Sequence, residues 1–402
     1  MIYEKLLLEQ KILESIEKYV AKFGIEYPEQ KQLNDWINEE YKGLQNILGD
    51  NRENHERYIK LKKLNEDWNE RLKRKQQDLI SFFIEGVNVV GATCLGVANF
   101  KDRNFDWVIV DEAGRSTAPE TFVPISKGKK IILVGDHKQL PPIIDQELQE
   151  KALNEKEIQK KSLEISLFEY LYKNLPKTNK ITLNHQYRMH PDIGNLVSYL
   201  FYEDQVSSQR VNQDEKQHQL KQFDKNVYWI STSDVPIKES QERENGKSRS
   251  NPYEAKVIKA VLLKIQQDCE DHDLSKEVGV IAAYRSQIAI LESSIAPNDQ
   301  QLWKNLHISI HTVDAFQGGE CDIILYDLVR NNPEKKLGFT ADDRRLNVAL
   351  SRTRQLLIIV GNDNMAYEGR TPNGIPNPFK PLIEYIDEKS AFCSRITSGK
   401  FL

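Results

Sequence analysis

The chain has 402 residues, of which 39% are hydrophobic and 29% charged, so it is long enough for two or three domains with buried cores. The formal net charge of −4 excludes a strongly basic nucleic-acid-binding protein, but it leaves room for a local basic groove. Four cysteines lie far apart with no Cys-x-x-Cys pair, which argues against a disulfide scaffold and predicts a reducing, cytoplasmic location. No apolar run approaches the roughly 20 residues of a transmembrane helix, so no membrane association is expected.

Residues 1–85 carry apolar side chains at helical spacing among many charges of both signs, as in Leu33, Trp36 and Ile37. This pattern predicts two or three long amphipathic helices, which form a lid or stalk packed on a neighbour. A basic cluster at 71–75 either contacts phosphates or is a solvated helix face.

After residue 85, short apolar runs end in polar or small residues. Runs of this kind without alternation are typical of strands buried on both faces of a parallel sheet. A helix is predicted at 251–267, a polar loop or short helix at 145–161, and a polar loop at 204–224. The fold class is therefore α/β, with two parallel-sheet units joined near residue 185. The predicted strands are 87–94, 105–113, 129–136, 227–232, 278–284, 307–313, 321–329 and 355–362.

Two of these predicted strands end in groups suited to phosphoryl transfer. The run VIVDEAG (108–114) places Asp111 and Glu112 after a strand, where one acid can bind Mg²⁺ and the other can deprotonate an attacking water. A carboxylate pair at the start of a helix is the alternative interpretation. The next run, VGDHKQLPP (134–142), supplies Asp136 and Gln139, whose amide can report a γ-phosphate.

Three later segments carry further candidates. In NHQYRMHPDIG (184–194), Arg188 has the planar guanidinium that matches phosphate oxygens, and the Tyr187 ring can stack on a base. A predicted turn between two strands holds Thr312, Asp314, Gln317 and Glu320. Arg352 and Arg354 follow a short predicted helix with a face of small residues.

Five of these segments together resemble the motifs of the superfamily 1 helicases. DEAG, GDxxQLPP, QYRMHP, VDAFQGGE and RRLNVALSRTR occur here in the order and spacing of that family. The pattern is most similar to the subgroup of the nonsense-mediated-decay helicase, senataxin and the immunoglobulin-mu-binding helicase. The resemblance covers residues 86–365.

The resemblance implies two RecA-like domains, ATP with Mg²⁺ between them, and single-stranded DNA or RNA across their tops. By this resemblance Asp111 binds Mg²⁺, Glu112 is the general base, and Gln139, Arg188 and Arg352 contact the γ-phosphate. The family also implies translocation from 5′ to 3′, and we expect a monomer. The other implied nucleotide-site residues are Asp136, Tyr187, Gln317 and Glu320, and the implied nucleic-acid contacts are Thr93, Pro119, Tyr284 and Thr312.

The family's glycine-rich phosphate loop, G-x-x-x-x-G-K-[ST], does not occur in the 402 residues. The one Gly-Lys-Ser, at 246–248, has Gln241 five positions before Gly246 and resembles the start of a second-domain segment instead. We therefore expect a helical insertion at 1–85, the later part of a first RecA-like domain at 86–185, a second such domain at 186–390 and a tail at 391–402. The start of the first domain is then lost by truncation, supplied by an upstream polypeptide, or degenerate.

Three functions remain open from the sequence. The first is an ATP-dependent helicase or translocase whose 402 residues alone are not competent for hydrolysis, because the phosphate loop supplies most of the triphosphate cradle. The second is a nonenzymatic nucleic-acid-binding protein or scaffold. The third is an ATPase that acts without nucleic acid.

Overall fold

The structure is a computed structural model that describes residues 87–100, 103–143, 165–208, 217–316 and 318–402. The chain divides into two compact units, residues 1–91 and residues 92–402. The predicted helices at 1–85 and the predicted polar loop or short helix at 145–161 lie outside the described residues. The predicted strand at 87–94 is wrong, because no described segment pairs with it and strands require such pairing.

Two parallel strands and a helix open the second unit: β1 (Phe105–Val110), α1 (Ala118–Ile125) and β2 (Gly128–Leu133). Helix α1 begins where it does because Thr117 forms a capping box with Glu120. Burial on both faces was predicted for these strands, but Trp107 is 54% and Ile109 65% exposed. Two strands provide too little surface to cover each other's side chains.

A six-stranded parallel sheet dominates the rest of this unit and confirms the α/β prediction. Its order is β12-β5-β11-β10-β8-β9, and every neighbouring pair is parallel. The strands are β5 (Val227–Ser231), β8 (Lys276–Ala282), β9 (Leu306–Thr312), β10 (Cys321–Asp327), β11 (Thr353–Gly361) and β12 (Cys393–Thr397).

The remaining strands are short. Strand β3 (His185–Gln186) pairs in parallel with β4 (Ser207–Ser208), and β6 (Arg243–Asn245) pairs antiparallel with β7 (Ser248–Ser250). Gly246 and Lys247 thus form a hairpin turn, which confirms that this Gly-Lys-Ser is not a phosphate loop.

The described helices cover both faces of the sheet. Alternate residues of its central strands enter two separate cores, as Ile324 and Leu325 of β10 do. Strands buried on both faces need apolar residues at every position, which is why the sequence shows unbroken apolar runs. The helices are α2 (Leu167–Asn174), α3 (Pro191–Phe201), α4 (Ile237–Ser240), α5 (Pro252–Asp271), α6 (Arg285–Ile295), α7 (Asp343–Leu350), α8 (Asp363–Glu368) and α9 (Phe379–Glu388).

The segment between β9 and β10 runs over one face of the sheet, from the carboxyl ends of the strands back to their amino ends. Strands β9 and β10 are parallel and both flank β8, so residues 313–320 return from the carboxyl edge to the amino edge over β8. Phe316 packs on the middle of β8, where a Cβ on Gly279 would lie 2.8 Å from the Phe316 ring. Glycine at 279 therefore makes room for the crossing segment.

The last residues of the chain belong to the sheet. Cys393–Thr397 form β12, which pairs with β5 over five residues, so the interpretation of 391–402 as a tail is wrong. The segment CSRIT has only two apolar residues, Cys393 and Ile396, which is too weak a pattern to predict a strand, and its pairing with β5 decides the conformation. Among the described residues, no helix has the length and apolar character needed to cross a membrane.

Candidate functional site

The turns that follow β1 and β2 are pressed together, which fixes the first group of candidate residues. The Ala113 amide donates to the Val134 carbonyl at 2.8 Å. A Cβ on Gly114 would lie 2.9 Å from the Asp136 carbonyl oxygen, and one on Gly135 would lie 2.7 Å from the Gly114 nitrogen. Only glycine permits this approach of two backbones, so both glycines set the distance between the two acidic turns.

Asp111 and Glu112 lie exposed at the carboxyl end of β1. The backbone of Glu112 has a left-handed φ of 52°, and its amide donates to Asp111 Oδ1 at 2.9 Å. Glu112 lines a cavity of about 380 Å³ that also contains Thr93 and Arg115. The structure thus brings one predicted nucleic-acid residue, Thr93, next to the predicted general base.

The loop after β2 is tied to the C-terminal half by a cluster of hydrogen bonds. Asp136 Oδ2 accepts from Gln139 Nε2 at 2.9 Å and from the Tyr202 hydroxyl at 2.5 Å. Asn347 of α7 donates to the Tyr202 oxygen at 2.8 Å and to the Lys138 carbonyl at 2.9 Å. Burial raises the pKa of the Tyr202 phenol and the nearby Asp136 carboxylate raises it further, so the phenol stays protonated and remains a donor.

Two arginines approach the same loop from the C-terminal half. Arg352 is buried, and its Nη2 donates to Gln139 Oε1 at 2.9 Å. Burial lowers the pKa of Arg352 and the positive charge of Arg188 lowers it further, whereas the Glu112 carboxylate opposes this change. Arg188 donates to Glu320 Oε2 at 2.6 Å and to the Ser351 carbonyl at 3.3 Å.

These contacts bring five of the predicted nucleotide-site residues around one cleft: Asp136, Gln139, Arg188, Glu320 and Arg352. The charge of a sixth, Glu112, acts on Arg352. Asp111 adjoins them through the Glu112 amide. Tyr187 is exposed beside Arg188, and Gln317 lies outside the described residues.

The predicted nucleic-acid residues do not form one cluster. Pro119 is exposed in the first turn of α1. Thr312 ends β9, and Tyr284 follows the end of the neighbouring strand β8, so these two share the carboxyl edge of the six-stranded sheet. Tyr284 is buried, and its oxygen accepts from Arg330 Nη1 at 3.3 Å.

The carboxylate of Asp111 suits Mg²⁺. This ion binds proteins through one or two carboxylates and takes its other ligands from water and substrate phosphates, so an exposed acid at a strand end is an adequate donor. Within the described ranges, no group of three or more His, Cys, Asp or Glu side chains forms a denser metal site.

Comparisons with known proteins identify the family of the chain. Two family models, both described as an AAA domain, match residues 5–147 and 163–364, and the second alone covers half of the chain. The chain belongs to the superfamily 1 helicases. Regulator of nonsense transcripts 1 from Dictyostelium discoideum is 31% identical over 73% of this chain and 21% of its own length. This relative agrees with the subgroup that the motifs indicate.

Two further matches broaden the comparison. The DNA polymerase alpha-associated DNA helicase A of Schizosaccharomyces pombe is 29% identical over 78% of this chain and 45% of its own length. PRRSV helicase, a solved structure, is 16% identical with a TM-score of 0.31, over 65% of this chain and 35% of that chain. The chain spans less than half the length of the curated relatives that it matches here.

Two residues of this helicase cleft were missed by sequence reasoning. Tyr202 follows α3, and Asn347 lies in α7, for which the sequence predicts only a face of small residues. Both act through hydrogen bonds to a loop more than sixty residues away in sequence. No local pattern predicts such contacts.

Proposed function

We propose that this chain is part of an ATP-dependent translocase or helicase that acts on single-stranded nucleic acid in the 5′ to 3′ direction. The observation that carries the proposal is the contact between Arg352 and Gln139 across the cleft. This hydrogen bond joins Gln139, whose amide is proposed to detect the γ-phosphate, to Arg352, which is proposed to stabilise the charge on that phosphate. Family membership supports the same reading.

The proposed chemistry assigns one task to each side chain. Asp111 would hold Mg²⁺, which would neutralise charge on the phosphates. Glu112 accepts a proton from the attacking water, and Gln139 orients the transferred phosphoryl group. Arg188 and Arg352 place positive charge where negative charge develops in the transition state.

In the structure Arg188 is bonded to Glu320, and Arg352 to Gln139. We propose that these contacts hold the two arginines in place before ATP binds. A bound γ-phosphate then replaces Glu320 as the partner of Arg188 and Gln139 as the partner of Arg352. Planar guanidinium groups pair equally well with carboxylate and phosphate oxygens, so this exchange requires no new side-chain type.

We further propose that the 402 residues do not hydrolyse ATP alone and that a separate segment or polypeptide supplies the glycine-rich loop. The sequence contains no such loop, and its backbone amides and lysine normally hold the β- and γ-phosphates. The alternative is a nonenzymatic nucleic-acid-binding protein, which the same missing loop favours. We also propose a monomer in a reducing, cytoplasmic location, in line with four free cysteines.

Two ATPase assays test the proposal, each with and without single-stranded DNA or RNA. The first uses the chain alone, and the second uses a chimera in which a segment that carries the motif G-x-x-x-x-G-K-[ST] precedes this chain. We expect hydrolysis stimulated by nucleic acid from the chimera only. Stimulated hydrolysis by the chain alone contradicts the need for the loop. A folded chimera that binds nucleic acid without hydrolysis supports the nonenzymatic alternative.

A further inference from the structure

Phe339 is an exposed aromatic residue on an otherwise buried turn. It lies in the short 3₁₀ helix Gly338–Ala341 and is 45% exposed, whereas Leu337, Thr340 and Ala341 are buried. The Thr340 hydroxyl donates to the Leu337 carbonyl at 2.9 Å and fixes the turn. The turn is therefore well anchored, and its one large apolar side chain still faces solvent.

Arginine and tyrosine side chains hold the Phe339 ring in place. The Arg345 guanidinium carbon lies 4.0 Å from the centroid of the Phe339 ring, and the Tyr284 ring centroid lies 6.1 Å from it at an angle of 53°. Arg330 in turn lies over Tyr284 and donates to its oxygen. We call Arg330, Tyr284, Phe339 and Arg345 the aromatic–arginine stack.

The charges at this stack are already paired within the protein. Arg345 is bonded to Asp314 and to Asp342, so its guanidinium is fixed against one face of the Phe339 ring. A fixed arginine of this kind is not available to bind phosphate and serves instead as a rigid support. What the stack offers to a partner is the exposed part of an aromatic ring.

The position of the stack favours a nucleobase over a protein side chain as the partner. Asp314 lies two residues after Thr312, and Tyr284 follows β8, so the stack stands at the carboxyl edge of the sheet where the nucleic-acid strand is proposed to run. Nucleobases stack on exposed aromatic rings without regard to their identity, and arginine support adds to such contacts.

We propose that Phe339 is a base-stacking position for single-stranded nucleic acid, supported from behind by Arg345, Tyr284 and Arg330. The inference rests on the proposed function, because it needs a strand that passes this edge. Tyr284, an implied nucleic-acid contact, is itself buried and serves here as a support for the Phe339 ring.

The test measures binding of the 402-residue chain to a labelled single strand of about 15 nucleotides by fluorescence anisotropy. Phe339→Ala should weaken binding about 5- to 150-fold, the range for loss of one stacked base. Phe339→Trp should keep the affinity within about threefold, whereas Phe339→Leu should lose as much as alanine, because leucine has no π-face. Phe392→Ala, at a 52% exposed ring before the opposite edge strand β12, should change nothing.

An abasic strand of equal length provides the matched ligand control. The wild type and Phe339→Ala should bind it equally, since no base is present to stack. If the wild type binds the normal strand and Phe339→Ala or Phe339→Leu binds it equally well, the stacking role is wrong while the proposed function stands. If the wild type binds no single strand, both are overturned.

Discussion

The Tyr202 hydroxyl donates to Asp136 Oδ2 at 2.5 Å and accepts from Asn347 Nδ2 at 2.8 Å. A single phenol oxygen therefore connects the loop after β2 to helix α7. Because Gln139 bonds to the same carboxylate oxygen of Asp136, the position of the proposed γ-phosphate sensor depends on this connection.

Tyr202→Phe removes the oxygen and leaves Asp136 without its shortest donor. We expect the free energy of unfolding to fall by about 1–3 kcal/mol, the cost of losing a hydrogen bond to a charged group. Hydrogen exchange of the backbone in 134–143 should become faster. Tyr228→Phe is the matched control, because its hydroxyl also donates to a carboxylate, Asp224 Oδ1 at 2.6 Å, but within one local segment. Equal exchange rates at 134–143 in both variants would contradict the connection.

Gly135→Ala places a Cβ against the backbone of Gly114, where no side chain can move aside. We expect a loss of about 1–3 kcal/mol in the free energy of unfolding, as for other overpacked sites. Urea denaturation gives this value. Gly91→Ala, whose Cβ would meet nothing within 4 Å, is the control and should be close to neutral. A stable Gly135→Ala protein would show that the two acidic turns can separate.

Glu254 and Asp327 form a buried carboxyl pair behind the carboxyl edge of the sheet. Burial raises the pKa of both groups, and each also faces the other. Gln287 Nε2 donates to Asp327 Oδ2 at 2.6 Å, and the Val329 amide donates to Glu254 Oε2 at 2.6 Å. The Glu242 carboxylate also raises the pKa of Glu254.

Burial raises the pKa of Asp327 to about 6 in the folded protein, above the unfolded value of about 3.9. The folded state then binds protons more tightly, so this contribution to stability is complete at low pH and is lost as the pH rises through about 6. The unfolding free energy of the wild type should fall between about pH 4.5 and pH 7. In Asp327→Asn this fall should be smaller by about 1–3 kcal/mol. Urea denaturation at both pH values measures the difference. The same pH dependence of the unfolding free energy in the wild type and in Asp327→Asn would show that Asp327 ionises freely in the folded protein.

Arg352→Ala in the chimera with a phosphate loop should lower kcat by about 10³-fold or more, as for loss of an arginine that stabilises phosphoryl transfer. Single-strand affinity should stay within about threefold of the wild type, because Arg352 lies at the amino edge of β11, away from Thr312 and Tyr284. Arg395→Ala, at a surface ion pair, is the control. An unchanged kcat in the Arg352→Ala chimera would show that Arg352 has no role in catalysis.

The central strands and the cleft residues were predictable because both follow from local patterns. Unbroken apolar runs located β5, β8, β9, β10 and β11, and the resemblance to the helicase motifs pointed to Glu112, Gln139, Arg188 and Arg352. Tyr202 and Phe339 were not predictable. Tyr202 acts only through residues far away in sequence, and the exposure of Phe339 depends on how Leu337 and Thr340 are buried around it.

The crossing segment over β8 also links the two edges of the sheet. Eight steps of backbone join Thr312 to Glu320 and reach about 28 Å when fully extended, whereas a seven-residue strand is already about 20 Å long. Turns at its start, such as the bond from the Phe316 amide to the Thr312 carbonyl at 3.1 Å, use up part of that excess. The same short segment therefore links Glu320, the partner of Arg188, to Thr312 at the opposite edge of the sheet.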